Sequence, residues 1–320
     1  MSHSINRREL LRGAAAGALL GGAAQLAHGQ GAGPLPKRAL GKTGVQAPIL
    51  GYGSAPTGTR RTLEDAVALY HYAIDQGITY LDTAPELGGY GQAQVQLGHV
   101  LRERRQEVFL VTKCWEPRGE DALRLLEANL KELQTDRADL VYAHSIGSDK
   151  MDPEVVMGRG GVMEMLQKAK AEGLARFIGI SGHNRPARFV ELLRRYEIDV
   201  MMNAVSLGAK HVYDFEGTVW PLAAEKQIGL VAMKVFGGSQ GQGLSNSRMP
   251  TERLALAARY AWSLPNVTTA VLGMATKAEI DRNLAWAKAF QPLSATEAAE
   301  AERIGRELGR QWGPVYGVVT

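Results

Sequence analysis

Residues 78–113 read ITYLDTAPELGGYGQAQVQLGHVLRERRQEVFLVTK, and the fold follows from how this stretch is read. Two short, β-rich apolar runs, 78–81 and 108–111, flank a loop and a helical stretch. Continuous apolar runs of this length suit strands covered on both faces. The first run leads into Asp82 and the second into Lys113, one ionisable residue at each C-terminal end. The loop between carries a phenol, Tyr90. In a parallel α/β barrel the C-terminal strand ends carry the chemistry, so this unit delivers a candidate acid/base set to one rim.

The same unit recurs along the chain. Strands are predicted at 49–53, 78–82, 108–113, 139–143, 176–180, 200–205, 230–235 and 269–272. Helices are predicted at 62–76, 92–104, 121–134, 163–171, 186–196, 217–226, 252–263 and 277–290, with a terminal helix at 295–311. Leu123, Leu126, Leu130 and Leu133 show the helical period, Thr62 and Asp65 read as a helix start, and Gly77 as its C-cap. A hairpin with Gly44 near its turn precedes the first unit. Eight strand–helix units is the number that closes a parallel barrel. The open doubly wound sheet is disfavoured, because residues 51–56 (GYGSAP) lack the final glycine and helix start of a dinucleotide fingerprint. The expected fold is a single (β/α)8 TIM barrel over 34–320, with an N-terminal β-hairpin and a C-terminal helix.

Residues 1–33 read differently. Arg7-Arg8 precedes the uncharged stretch 13–27, and Ala27-His28-Gly29 fits a cleavage site. That is signal-peptide anatomy, and the twin arginine resembles the Tat type, which implies a periplasmic or secreted protein exported folded with its cofactor aboard. After the leader, no apolar run suits a stable membrane span. The net charge of +4 comes from basic residues mixed with acids, so nucleic acid is not an expected partner. The single Cys114 excludes an internal disulfide and a cysteine-caged metal, and no metal is expected. Oligomeric state is open.

Asp82, Lys113 and His144 end strands two, three and four and would converge at one rim. A lysine beside an aspartate stays charged and oriented, and a cation near a phenol lowers the phenol's pKa. A histidine there can donate to a carbonyl oxygen. Trp115 would line the substrate pocket, and His71 and His99 read as surface or packing groups on helices.

Residues 40–44 (LGKTG), 81–84 (LDTA), 112–113 (TK), 139–144 (DLVYAH), 179–181 (GIS) and 283–284 (NL) together resemble the aldo-keto reductase family over essentially the whole length after the leader. The resemblance implies a nicotinamide-dependent oxidoreductase that reduces a small-molecule aldehyde or ketone, or runs the reverse oxidation. Asp82, Lys113 and His144 match the family's aspartate, lysine and histidine. Its tyrosine lies five residues after the aspartate, where this chain has Leu87, and Tyr90 comes three residues later. Either Tyr90 swings in, helped by Gly88-Gly89, or it is a packing aromatic in a weakly catalytic or non-catalytic nicotinamide-binding barrel. The local alignment leans to the second, and Tyr52 is a less suitable substitute. By the same resemblance, Ser181 and the Gly182–Asn184 loop, with Asn203, hold the nicotinamide carboxamide; the family's stacking position falls near Met233 with the cofactor residue Lys234 next; Asn283 meets adenine; and the Gly237–Gly243 loop either wraps the pyrophosphate or is a surface loop. Lys277 or Arg282 would hold a 2′-phosphate, with Glu279 where an arginine is common. NADP is the expected cofactor, with NAD possible.

Overall fold

The structure, a computed structural model, describes residues 33–238 and 247–320. The leader expectation and most of the Gly237–Gly243 loop lie outside the described residues. An antiparallel hairpin, β1 (Lys37–Ala39) and β2 (Gln46–Pro48), comes first. The eight barrel strands are β3 (Leu50–Gly53), β4 (Tyr80–Asp82), β5 (Phe109–Cys114), β6 (Ala138–Ala143), β7 (Ala175–Gly182), β8 (Val200–Ala204), β9 (Gly229–Met233) and β10 (Val267–Gly273). They pair in parallel in chain order, and β10 closes on β3. The architecture is the (β/α)8 barrel that the repeated units imply.

Side chains alternate across each strand, so every second residue enters the barrel. Tyr80, Phe109, Val111, Leu140, Tyr142, Val200, Met202, Val231, Met233 and Val271 form one buried interior cluster. Tyr80 and Tyr142 bring their hydroxyls within 3.3 Å of each other across it. Gly179 makes room for them: a Cβ there would lie 2.6 Å from the Tyr142 ring. The N-terminal end is plugged by Leu40, fully buried in the same cluster, with Lys42 N donating to Gln227 O at 2.9 Å. Counting two residues on from Tyr80, Val111, Tyr142 and Gly179 gives Asp82, Lys113, His144 and Ser181. The polar residues at the C-terminal rim are therefore the top layer of the register that packs the core.

Helices cover the outside. Trp262, on the helix Leu254–Ser263, is buried and donates to Ile49 O at 2.7 Å beside the closing strand pair. The terminal helix Ala295–Trp312 opens with a full capping box between Ser294 and Glu297.

Several elements differ from the sequence reading. Three helices are additional to it: Ala55–Arg60, between β3 and the helix Leu63–Asp75, Pro153–Met157, and Lys210–Tyr213. The single helix expected at 217–226 is instead two short pieces, Phe215–Thr218 and Trp220–Glu225. Asp214 is left-handed at φ 47° and its carboxylate accepts from Gly217 N at 3.0 Å, while Pro221 forces a fresh start in the last piece. Strand seven stops at Met233 because Lys234 turns left-handed at φ 58°. Among the described residues no helix is long and apolar enough to cross a membrane, and no cluster of His, Cys, Asp and Glu could hold a metal ion. Cys114 is buried and unpaired with another cysteine.

Replacing Trp262 by Phe keeps most of the apolar volume but removes one of the two donors to Ile49 O, leaving Ala270 N at 2.8 Å. The expected cost is about 0.5–1.5 kcal/mol in a urea unfolding experiment, and an unchanged midpoint would remove Trp262 from barrel closure.

Candidate active site

Lys113 is the fixed point of the rim. Its ammonium donates to Asp82 Oδ1 at 2.8 Å, Asp82 Oδ2 at 2.7 Å, Thr83 O at 2.8 Å and Tyr90 Oη at 3.1 Å. Both charged groups are buried, at 1 % and 2 % side-chain exposure. Burial pushes the Asp82 carboxyl up and the Lys113 ammonium down, and each opposes the shift in the other. An isolated buried charge would cost several kcal/mol, so the two remain a charged pair only together.

Tyr90 reaches this pair. Its hydroxyl also donates to Asp82 Oδ2 at 3.3 Å, and the Lys113 ammonium lies 4.7 Å from its ring centre. Leu87, at the expected tyrosine position, is half exposed on the short helical turn Glu86–Gly88. The turn ends in left-handed Gly89 and Gly91. Gly58, on the helix Ala55–Arg60, lies against this loop so closely that a Cβ would sit 2.1 Å from Tyr90 O. A Cβ on Gly91 would in turn sit 2.6 Å from Gly58 O, which accepts from Gln92 N at 3.1 Å. The glycine pair lets two backbones touch, and that contact sets where the phenol lies. Burial first, and Asp82 second, raise the Tyr90 pKa well above its ordinary value. The lowered pKa expected from Lys113 is not found, and Tyr90 is a protonated donor at neutral pH.

His144 Nδ1 lies 2.7 Å from Ser181 Oγ, which is fully buried on β7. Burial holds His144 well below its ordinary pKa, helped by His183, Lys113 and Lys234, so the ring is neutral. Rings line up along the rim: Trp115 to His144 at 6.3 Å, His144 to His183 at 5.5 Å, His183 to Tyr316 at 5.6 Å and Tyr316 to Tyr213 at 5.7 Å. The C-terminal segment thus joins the wall. It is pinned by Asn184 Nδ2 donating to Val318 O and by Tyr213 Oη donating to Gly317 O, both at 3.0 Å. Tyr52 is withdrawn, buried with its hydroxyl 2.8 Å from Thr57 Oγ1.

The residues expected to meet a cofactor divide. Ser181 faces the barrel mouth. Asn203 pairs in register with Gly182 and is buried, with both side-chain amide atoms unpartnered among the described residues. The inward position is Met202, opposite Ser181. Gly237 and Gly238 are both left-handed, packed beneath Trp312 and Tyr316, but Gly237 N already donates to Lys234 O at 2.7 Å and is not free for a phosphate. Lys234 is exposed at the mouth. On the helix Lys277–Lys288, Asn283 is fully buried with Nδ2 unpartnered among the described residues. Lys277 is tied to Asp281 at 2.6 Å and Tyr72 Oη at 3.0 Å, and Arg282 stacks on Trp286 at 5.0 Å. Glu279 Oε2 accepts from Ala275 N at 2.7 Å, placing a carboxylate at the start of that helix. The orphaned Asn203 and Asn283 amides are consistent with a dinucleotide at this rim.

Sequence reasoning missed Gly58 and Tyr316. Only Gly58 left a trace, in Ala55-Pro56 after a strand, where proline suits a first helical turn.

The chain matches the aldo/keto reductase family model over residues 49–254. It is 32 % identical over 157 residues to L-galactose dehydrogenase of Arabidopsis thaliana, covering 45 % of this chain and 48 % of that protein. It is 29 % identical over 234 residues to D-threo-aldose 1-dehydrogenase of a Pseudomonas species, covering 62 % and 68 %. The match spans about half the length of the Arabidopsis relative. A solved structure from Pseudomonas aeruginosa, described as an aldo-keto reductase, superposes with a TM-score of 0.65 at 27 % identity, covering 80 % of this chain and 96 % of that one.

Gly58→Ala should push the Tyr90 loop off the Lys113–Asp82 pair. Helix propensity alone would make this change favourable by about 1 kcal/mol. A loss of turnover with a folded circular dichroism spectrum is expected; full turnover would show that the glycine contact does not set the phenol.

Proposed function

The chain belongs to the aldo/keto reductase family, and on that footing we propose that it is a nicotinamide-dependent oxidoreductase that interconverts a small-molecule aldehyde or ketone and its alcohol. The observation that carries this reading is the Tyr90 hydroxyl 3.1 Å from the Lys113 ammonium. The alternative, a nicotinamide-binding barrel without a proton donor, draws its support from Leu87, and a phenol on the buried ion pair supports the catalytic reading over it.

The reduced nicotinamide would supply the hydride. The chain's own residues manage the oxygen. Tyr90 donates its proton to the carbonyl oxygen as charge develops there, and the ammonium beside it stabilises the phenolate left behind. Asp82 keeps Lys113 charged and aimed. With Ser181 donating to Nδ1, His144 carries its proton on Nε2 and can hold the same oxygen. Both relatives are named for reactions of sugars, and the row of rings from Trp115 to Tyr316 suits stacking against a sugar's apolar face. An aldose is therefore the leading substrate class.

A panel of aldehydes and aldoses, read by nicotinamide absorbance, tests the assignment. Lys113→Met should retain cofactor yet lose roughly 10²–10⁴ in kcat. Normal turnover in that variant would rule out the proposed centre.

For the cofactor, NAD fits better than the NADP expected from sequence. Lys277 is paired with Asp281, and Glu279, at the position where the resemblance expects an arginine for a 2′-phosphate, puts a carboxylate there instead, a group that would repel a phosphate and could accept from a ribose hydroxyl. Fluorescence titration should give tighter binding of NADH than NADPH, and Glu279→Gln should narrow the gap. Preferential NADPH binding would contradict this.

A further inference from the structure

Lys234 is a charged group at the mouth with no opposite charge paired to it among the described residues. It follows the last residue of β9 and is held in the left-handed region at φ 58°, a conformation that costs a side chain energy. Gly237 N closes the turn onto its carbonyl. Its stem runs beside Gly238, where a Cβ would lie 3.6 Å from Lys234 Cδ and 3.3 Å from the Tyr316 ring. The ammonium is therefore in the mouth, between the C-terminal wall and the catalytic centre. Its charge acts on Asp82, His144 and His183.

The charges do not balance. Asp82 is held by Lys113 through both oxygens. His144 and His183 are neutral, the latter pushed down to about 3 by burial and then by Lys234 and Lys113. The acids of the neighbouring loops are engaged elsewhere, Glu116 with Lys150 and Asp149 with Arg185. Among the described residues Lys234 has no hydrogen-bond or ion-pair partner. Residues 239–246, SQGQGLSN, contain no acid, and the only acid in 1–32 is Glu9. Two ammonium groups thus face one carboxylate in a partly desolvated mouth, where an added anion is worth far more than at an open surface.

We propose that Lys234 is a substrate-recognition residue, and that the carbonyl compound this site takes carries an anionic group, a carboxylate or a phosphate, placed to meet it. This rests on the carbonyl-oxidoreductase reading above. The dinucleotide's own phosphates are the competing source of negative charge, so the test separates the two.

The probes are 4-carboxybenzaldehyde and benzaldehyde, with wild type, Lys234→Met and Lys234→Arg, and cofactor affinity is titrated separately by nicotinamide fluorescence. Wild type should favour the acid in kcat/KM by about tenfold or more, the size of one charge-assisted contact. Added salt should reduce the preference. Lys234→Met should bring the ratio near one with cofactor affinity unchanged, and Lys234→Arg should keep it. No acid preference in wild type overturns the proposal. So does a methionine variant that keeps the preference but loses cofactor affinity, which would assign the cation to the dinucleotide. If no aldehyde is turned over at all, the oxidoreductase reading fails instead. Binding of the two probes to the cofactor-loaded protein, followed by tryptophan fluorescence, then decides: tighter binding of the acid that depends on Lys234 supports the anion site, and equal binding overturns it.

Discussion

The buried ion pair between Lys113 and Asp82 is the constraint on which the rest depends. Neither charge could stand alone at that depth. Each is delivered by a separate strand, so the pair forms only when β4 and β5 lie side by side in the observed register. The ammonium's three donors are shared among both Asp82 oxygens, Thr83 O and Tyr90 Oη. In this way one electrostatic requirement couples strand pairing to the position of a phenol.

The same register explains why core and site are continuous. The alternation that sends Tyr80, Val111 and Tyr142 into the barrel sends Asp82, Lys113 and His144 to its rim. A one-residue slip of any strand would invert its faces. Tyr142, supported by Gly179, thereby acts as a floor beneath the polar layer. The hairpin plug and Trp262 contribute at a distance, by closing the bottom and the seam.

Much of this was legible in the chain. Short apolar runs ending in ionisable residues fixed the barrel and put Asp82, Lys113 and His144 on one rim, because strand period and strand ends are local properties. Tyr90 was not legible as a member. Its place depends on Gly58 and Gly91, residues 33 positions apart along the chain, touching backbone to backbone, and no periodicity reports a contact of that kind. Which of Met202 and Asn203 faces the barrel interior was not legible for a related reason: it follows from pairing with β7. The region 217–226 broke into short helices because the left-handed Asp214 and Pro221 outweighed its helical composition. Lys234 lies past a strand end in an unfavourable backbone conformation, and its isolation is a property of the whole rim.

The central claim is that the proton donor is Tyr90, displaced by three residues from the expected position yet seated on Lys113 and Asp82. Turnover of Tyr90→Phe measures it most directly. The account requires kcat to fall by roughly 10²–10⁴ with nicotinamide affinity retained. A Tyr90→Phe enzyme that turns over at the wild-type rate would contradict it.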